Sequence, residues 1–258
     1  MEIMEILKDA VKYPFSDIKT LLIIGIIFLV VSLCGSLGQF QNDALVALGG
    51  LISLILGLIL AGYSLDVIKL GTELNDAMPA LDIKENIING IKLLIVTIVY
   101  YIIPVIILAI VSIFAGGYAL MSLSNITLAQ NAAPAEVLST VMTPEMITGL
   151  GIIAIVGIIL GIIFGLLALM GQARLAKTGD IGNAVSFGQS IEDLKTIGVG
   201  KTLALIILLY ILLAIIAAIF MFIAMIPIVG IILLALFGES IMMFIQYRAY
   251  GLLYSEIA

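Results

Sequence analysis

A chain of 258 residues that is 63% hydrophobic and 11% charged, with a mean hydropathy of +1.33, holds more apolar side chain than one soluble core can hide. With no His and one Cys, Cys34, it excludes a Ser/His/Asp or Cys/His relay, a His-containing zinc site and an intrachain disulfide. The formal charge of -6 does not describe a solvated acidic domain, because most acids share their segments with the basic residues, and that mixture argues against a polybasic lipid clamp and against nucleic acid as a partner.

The first element in chain order is an amphipathic helix. Ile3, Ile6, Leu7, Ala10 and Val11 recur at helical spacing, Glu2, Glu5, Lys8, Asp9 and Lys12 take the other side, and Pro14 ends the pattern. Those acids, with Asp17 and no apolar core before a small-residue cleavage site, predict a retained N-terminus rather than a signal peptide. Six spans of roughly 20 residues or more follow, enough at ~1.5 Å rise to cross a ~30 Å hydrocarbon layer. They are expected at Ile18 to Leu37, Ala44 to Leu65, Ile87 to Tyr118, Ile147 to Ala173, Thr202 to Met225 and Ile228 to Tyr247. Pro104 predicts a kink in the third.

Two further amphipathic segments lead into later spans. One runs from Pro79, with Ile83, Ile87, Ile88 and Ile91 on a stripe; the other starts at Ser190 as N-cap, with Ile191, Leu194 and Ile197. Both read equally well as the ends of long tilted spans. Between the third and fourth spans, Val137, Leu138, Val141 and Met142 lie within Pro134 to Pro144, a stretch expected on the outer interface, and Asn125-Ile126-Thr127 is an acceptor pattern for glycosylation.

Charge orients this arrangement. Of the 11 Lys and Arg residues, nine fall before the first span, between the second and third, between the fourth and fifth, or after the sixth, Lys19 and Lys92 stand near the starts of the first and third spans at the same membrane side, and the other connections carry none. Basic short loops stay in the cytoplasm, so the expected location is the cell membrane, multi-pass, with both termini cytoplasmic. Tyr13, Tyr63, Tyr247, Tyr250 and Tyr254 are expected to form a cytoplasmic aromatic belt.

The segments also repeat. Nine residues on from Lys19, Lys92 and Lys201 stand Phe28, Tyr101 and Tyr210, and each even span carries a glycine near its end, Gly57, Gly165 and Gly238. Gln172-Ala173-Arg174 echoes Gln246-Tyr247-Arg248. The fold class is therefore all-α integral membrane: a single domain over residues 1–258, its six helices forming three parallel-repeat hairpins with cytoplasmic interfacial helices. The hairpin units fall at approximately 1–70, 71–179 and 180–258. Gly49, Ser53, Gly57 and Ala61 in span two, and Gly157, Gly161 and Gly165 in span four, predict close helix contacts within the chain.

Glu239 is the candidate site. About eleven residues into span six, it lies ~16 Å deep, where an ionised acid costs at least ~2.5 kcal/mol. Tyr101 and Tyr210 reach a similar depth from the opposite count, which predicts an intramembrane polar cluster with a tyrosine hydrogen-bonded to Glu239. Joining helices and exchanging a proton or cation are both roles for such an acid. Arg174 and Arg248 are read as interface anchors, Arg248 as a snorkelling one. Gly198-Val199-Gly200-Lys201-Thr202 ends like a phosphate-binding loop, but Lys195 occupies the position of its first glycine and no strand precedes it, so nucleotide binding is rejected.

Lys12-Tyr13-Pro14-Phe15-Ser16-Asp17, Gly62-Tyr63, and Arg248-Ala249-Tyr250-Gly251 with Tyr254 resemble the signature of an uncharacterised archaeal family of polytopic membrane proteins, a domain-of-unknown-function family. More distantly, the hairpin pattern is similar to the membrane domain of glycerophosphodiester phosphodiesterases, whose soluble catalytic domain this chain lacks. The resemblance implies six membrane helices and supplies no substrate. The expected function is a non-enzymatic protein that organises membrane lipids or partner membrane proteins, with no cofactor, no metal and an open oligomeric state. The alternative is a small transporter or channel using Glu239 with Tyr101 and Tyr210.

Overall fold

The computed structural model describes residues 1–40, 42–126 and 144–257, and these are helical with short connections. The elements are α1 (Ile3–Lys12), a 3₁₀ turn (Tyr13–Phe15), α2 (Ile18–Ser36), a 3₁₀ turn (Leu37–Phe40), α3 (Asp43–Thr72), α4 (Ile83–Ile126) and α5 (Pro144–Thr178). They continue with α6 (Ile181–Ala184), α7 (Phe187–Ile197), α8 (Val199–Ala224), α9 (Val229–Leu233), a π turn (Leu234–Gly238) and α10 (Glu239–Tyr254). Among the described residues, six helical stretches are long and apolar enough to cross a membrane: Ile18–Gln39, Asp43–Thr72, Ile83–Ala115, Ile147–Thr178, Val199–Ala224 and Val229–Tyr254. The protein is a multi-pass membrane protein. Its apolar side chains are largely exposed along these stretches, as lipid-facing helices require.

Local chemistry sets the starts. Glu2 and Glu5 form a capping box on α1. Asp17 caps α2, accepting from the Lys19 and Thr20 amides and from the Thr20 hydroxyl at 2.6 Å, and those bonds hold its carboxyl below the usual range. Asn42 caps α3 in the same way. Ser186, not Ser190, caps α7, so that helix starts four residues earlier than its apolar pattern suggests. The segment from Pro79 is irregular until Ile83 and then joins the third span without a break, and the helix also continues through Pro104. The stretch expected on the outer interface, Val137 to Met142, and Thr127 of the acceptor pattern lie outside the described residues.

The chain divides into two units, residues 1–97 with 169–258, and residues 98–168. In the first, α10 packs along α3, α2 against α3 and the π turn, α1 against α10, and α8 against α9 and α10. Glycines set the closest approaches. A Cβ on Gly62 would fall 1.8 Å from the Asn86 carbonyl oxygen, and one on Gly25 2.0 Å from that of Leu236. Gly71 and Gly251 face each other, a Cβ on Gly71 lying 2.9 Å from the Gly251 Cα. In the second unit, a Cβ on Gly149 would meet the Ala115 carbonyl oxygen at 2.2 Å.

The expected glycine stripes are only partly used. Gly49 meets the α2 backbone at the Cys34 carbonyl, 2.8 Å from its ideal Cβ, whereas Gly57 and Gly161 face open space. Gly62→Leu is therefore expected to destabilise the protein by about 1–3 kcal/mol or more through backbone displacement, and Gly57→Ala to leave it unchanged or slightly better. Melting of the two variants in detergent checks this; equal melting temperatures would refute the close approach.

Candidate functional site

Glu239 opens α10 directly after the π turn, its amide donating to the Leu234 carbonyl. Such turns widen a helix by one residue and recur at functional sites. The half-buried carboxyl lines a groove of about 520 Å³ between α8 and α10, with Tyr210, Leu213, Ala214 and Ala217 on one wall and Met242, Met243, Gln246 and Tyr247 on the other. The lining is mostly apolar. The Glu239 carboxyl makes no hydrogen bond or ion pair with any described residue.

Within the first unit the structure thus brings Tyr210 and Glu239 to one groove, without the expected hydrogen bond. Gln246 Nε2 donates to the Tyr250 hydroxyl at 3.0 Å, which lies 3.3 Å from the Tyr210 hydroxyl. The reason is axial distance: Tyr250 is eleven residues beyond Glu239, ~16 Å of helix rise. Gln246, seven residues along the same face from Glu239, thus pairs with Tyr250, which the sequence reads as part of an aromatic belt. Tyr101 belongs to the second unit, where its hydroxyl lies 3.9 Å from an ideal Cβ on Gly165. No group of three Asp, Glu or Cys residues suited to a metal occurs among the described residues.

Arg248 is not a snorkelling side chain. It is buried to 1% exposure, because its partners come from the protein rather than from the interface. Nε donates to Asp9 on α1 at 2.8 Å, Nη2 to Asp76 at 2.5 Å and Nη1 to the Asn75 carbonyl at 2.6 Å, while the guanidinium carbon stacks 4.7 Å over the Tyr13 ring. Two tyrosines complete the arrangement: Tyr13 donates to the Ala77 carbonyl at 2.9 Å and Tyr63 to that of Pro79 at 3.0 Å. Alternate carbonyls of the irregular segment after α3 are therefore held from α10, the turn after α1, and α3. Burial pushes the Tyr13 phenol up to about 12, with Arg248 opposing.

Three of the residues that carry the family resemblance, Tyr13, Tyr63 and Arg248, thus meet at one loop. Four of the five tyrosines expected in an aromatic belt, Tyr13, Tyr63, Tyr250 and Tyr254, are instead buried in the protein, and Tyr247 is half-buried. Arg174 is also paired: it donates to Asp193 Oδ2 at 3.0 and 2.6 Å and to Gln189 Oε1 at 2.5 Å, and Tyr254 donates to the same Asp193 oxygen at 2.9 Å. The signal available in sequence was the acid on each amphipathic segment, Asp9 and Asp193, but no local spacing ties either to its arginine.

The model of a family described as Protein of unknown function (DUF4013) matches residues 45–237. The chain belongs to that family. No curated protein and no solved structure matches it.

Arg248→Gln is expected to cost about 2–3 kcal/mol, because charge-assisted hydrogen bonds from a buried group are lost. Asp76→Asn should cost less than ~1 kcal/mol, since that side chain is 83% exposed, and Asp9→Asn, at 33%, an intermediate amount. Denaturation of the three variants in one detergent gives the order; an Asp76 effect as large as that of Arg248 would contradict it.

Proposed function

We propose that the protein is a non-enzymatic membrane protein that organises lipid or a partner membrane protein, and that the groove beside Glu239 is where it holds an acyl chain or an apolar helix. The observation that carries this reading is the mostly apolar lining around one acid that has no partner among the described residues. Ala217→Phe fills the groove and is expected to reduce the lipid that copurifies with the protein several-fold, measured by mass spectrometry of detergent extracts. Equal lipid content in wild type and variant removes the proposal.

The second reading is a small transporter or channel using Glu239, favoured by the same unpaired acid and by the π turn before it. Its mark is an ion-dependent uptake in proteoliposomes that Glu239→Gln abolishes, together with a cation- or acid-dependent melting temperature that the variant loses.

Both readings place the termini in the cytoplasm, on the distribution of Lys and Arg. A cysteine introduced at Lys8 should react with an impermeant thiol reagent only from the cytoplasmic face; labelling from outside inverts the topology.

The three-hairpin repeat belongs to the same proposal. Arg174 pairs with the following amphipathic helix α7, and Arg248, at the end of the chain, with α1 at its beginning. Asp66, nine residues after Gly57 as Arg174 is after Gly165, accepts from Asn86 Nδ2 at 2.6 Å in the segment that follows it. Each even span thus reaches to the amphipathic segment of the next hairpin, and the third closes on the first. That pattern supports a parallel threefold order with α1 and α7 as interfacial helices. An archaeal origin and a distant kinship with the membrane domain of the phosphodiesterases complete the reading.

A further inference from the structure

A second cavity, of about 220 Å³, lies where the ends of α3 and α5 meet the start of α4. Three lysines line it: Lys69 from the last turn of α3, Lys92 from α4 and Lys177 from the last turn of α5. Asp66 and Glu85 are the acids of the lining, so the cations are in excess.

The hydrogen-bond inventory sharpens that excess. Each ammonium carries three N–H donors. Lys92 donates to the Gly179 carbonyl at 3.0 Å, and the ammonium groups of Lys69 and Lys177 make no hydrogen bond or ion pair with any described residue. On the acceptor side, the Asp66 carboxylate already receives the Asn86 amide at 2.6 Å. The Glu85 carboxylate likewise has no partner among the described residues, so three ammonium groups stand against two carboxylates and the lining keeps one positive charge in excess. Three ammonium groups from three helices around a space of this size suit an anion with several oxygens disposed about one centre, and lysine serves such anions as a point charge.

We propose that this cavity binds a phosphate group through Lys69, Lys92 and Lys177. The cavity sits where apolar helices give way to charged ends, so both a phospholipid headgroup and a soluble phosphate have access, and their shared chemistry is the phosphate. It shares no lining residue with the groove and does not rest on the function proposed for it.

Titration of the detergent-purified full chain with inorganic phosphate and, separately, with dihexanoyl phosphatidic acid, read by melting temperature and calorimetry, tests the site. At least one ligand should bind wild type. Lys69→Gln with Lys177→Gln should weaken that ligand about tenfold or more, the effect of losing charge-assisted bonds. Lys8→Gln, on the exposed face of α1, should leave it unchanged. Binding of the lipid alone identifies a headgroup site, and binding of both identifies a site for phosphate itself.

Both substituted lysines are exposed, so the double variant should fold with a wild-type melting temperature in the absence of ligand. Lys69→Arg with Lys177→Arg should retain binding. Ala217→Phe should also retain it, so that this site and the groove fail separately. Absence of binding by both ligands, or binding unaltered in the double glutamine variant, overturns the proposal.

Discussion

The Arg248 guanidinium is the interaction on which the charged end of the first unit depends. α3 ends at Thr72 and α4 begins at Ile83, and the connection between them has no regular ladder to satisfy its carbonyls. Unpaired backbone groups buried beside apolar helices cost free energy comparable to a lost hydrogen bond. Arg248, Tyr13 and Tyr63 supply three donors to Asn75, Ala77 and Pro79, and the two rings sandwich Phe244 edge-on at 6.0 and 5.9 Å. The loop is thereby a packed part of the fold. The ion pair with Asp9 also ties α1 to α10, so one buried cation joins segments from the beginning, the first third and the end of the chain.

A second tie secures the same helix. Glu256 accepts from Lys201 at 2.5 Å and from the Met1 ammonium at 2.8 Å, and Lys201 donates to the Met1 carbonyl at 2.7 Å. These partners hold the Glu256 carboxyl below its ordinary range despite some desolvation. A depressed carboxylate contributes stability above its unfolded value and loses it as pH falls through the folded one. The contacts are exposed enough for solvent and salt to screen them, so their contribution is smaller than that of the buried Arg248. Ile6 and Ala10, both fully buried, supply the apolar part of the docking.

How legible each of these features is in the sequence follows from the range of the physics. Six spans are readable because hydropathy over some twenty residues is a local property. α1 is readable too, since its apolar spacing and capping box lie within one short segment. Ser186 and Ser190 are the same residue type one turn apart, and only the backbone geometry distinguishes the cap. Arg248 reads as an interface anchor because its partner Asp9 is 239 positions away. The belt of tyrosines fails for the same reason: Tyr13, Tyr63, Tyr250 and Tyr254 are buried by partners that no local pattern announces. The π turn has no signal in composition, and it alters the register of the helix that carries Glu239.

Glu239 and Arg248 stand on one helix, nine residues apart, and illustrate two solutions to one cost. Carboxylates and a carbonyl surround the Arg248 guanidinium and meet its donors. Glu239 has neither a counter-charge nor a donor among the described residues, yet it stands in a stretch apolar enough to span the membrane. An ionised acid there costs ~2.5 kcal/mol or more unless water or a partner meets it. The groove is open along the same wall, and its nearest polar groups are engaged with one another through Tyr250. The acid is thus left either to carry its proton or to meet a donor brought by whatever occupies the groove. That choice separates a passive holder of lipid from a carrier: in the first the carboxyl keeps one state while the occupant changes, and in the second its state and the occupant change together.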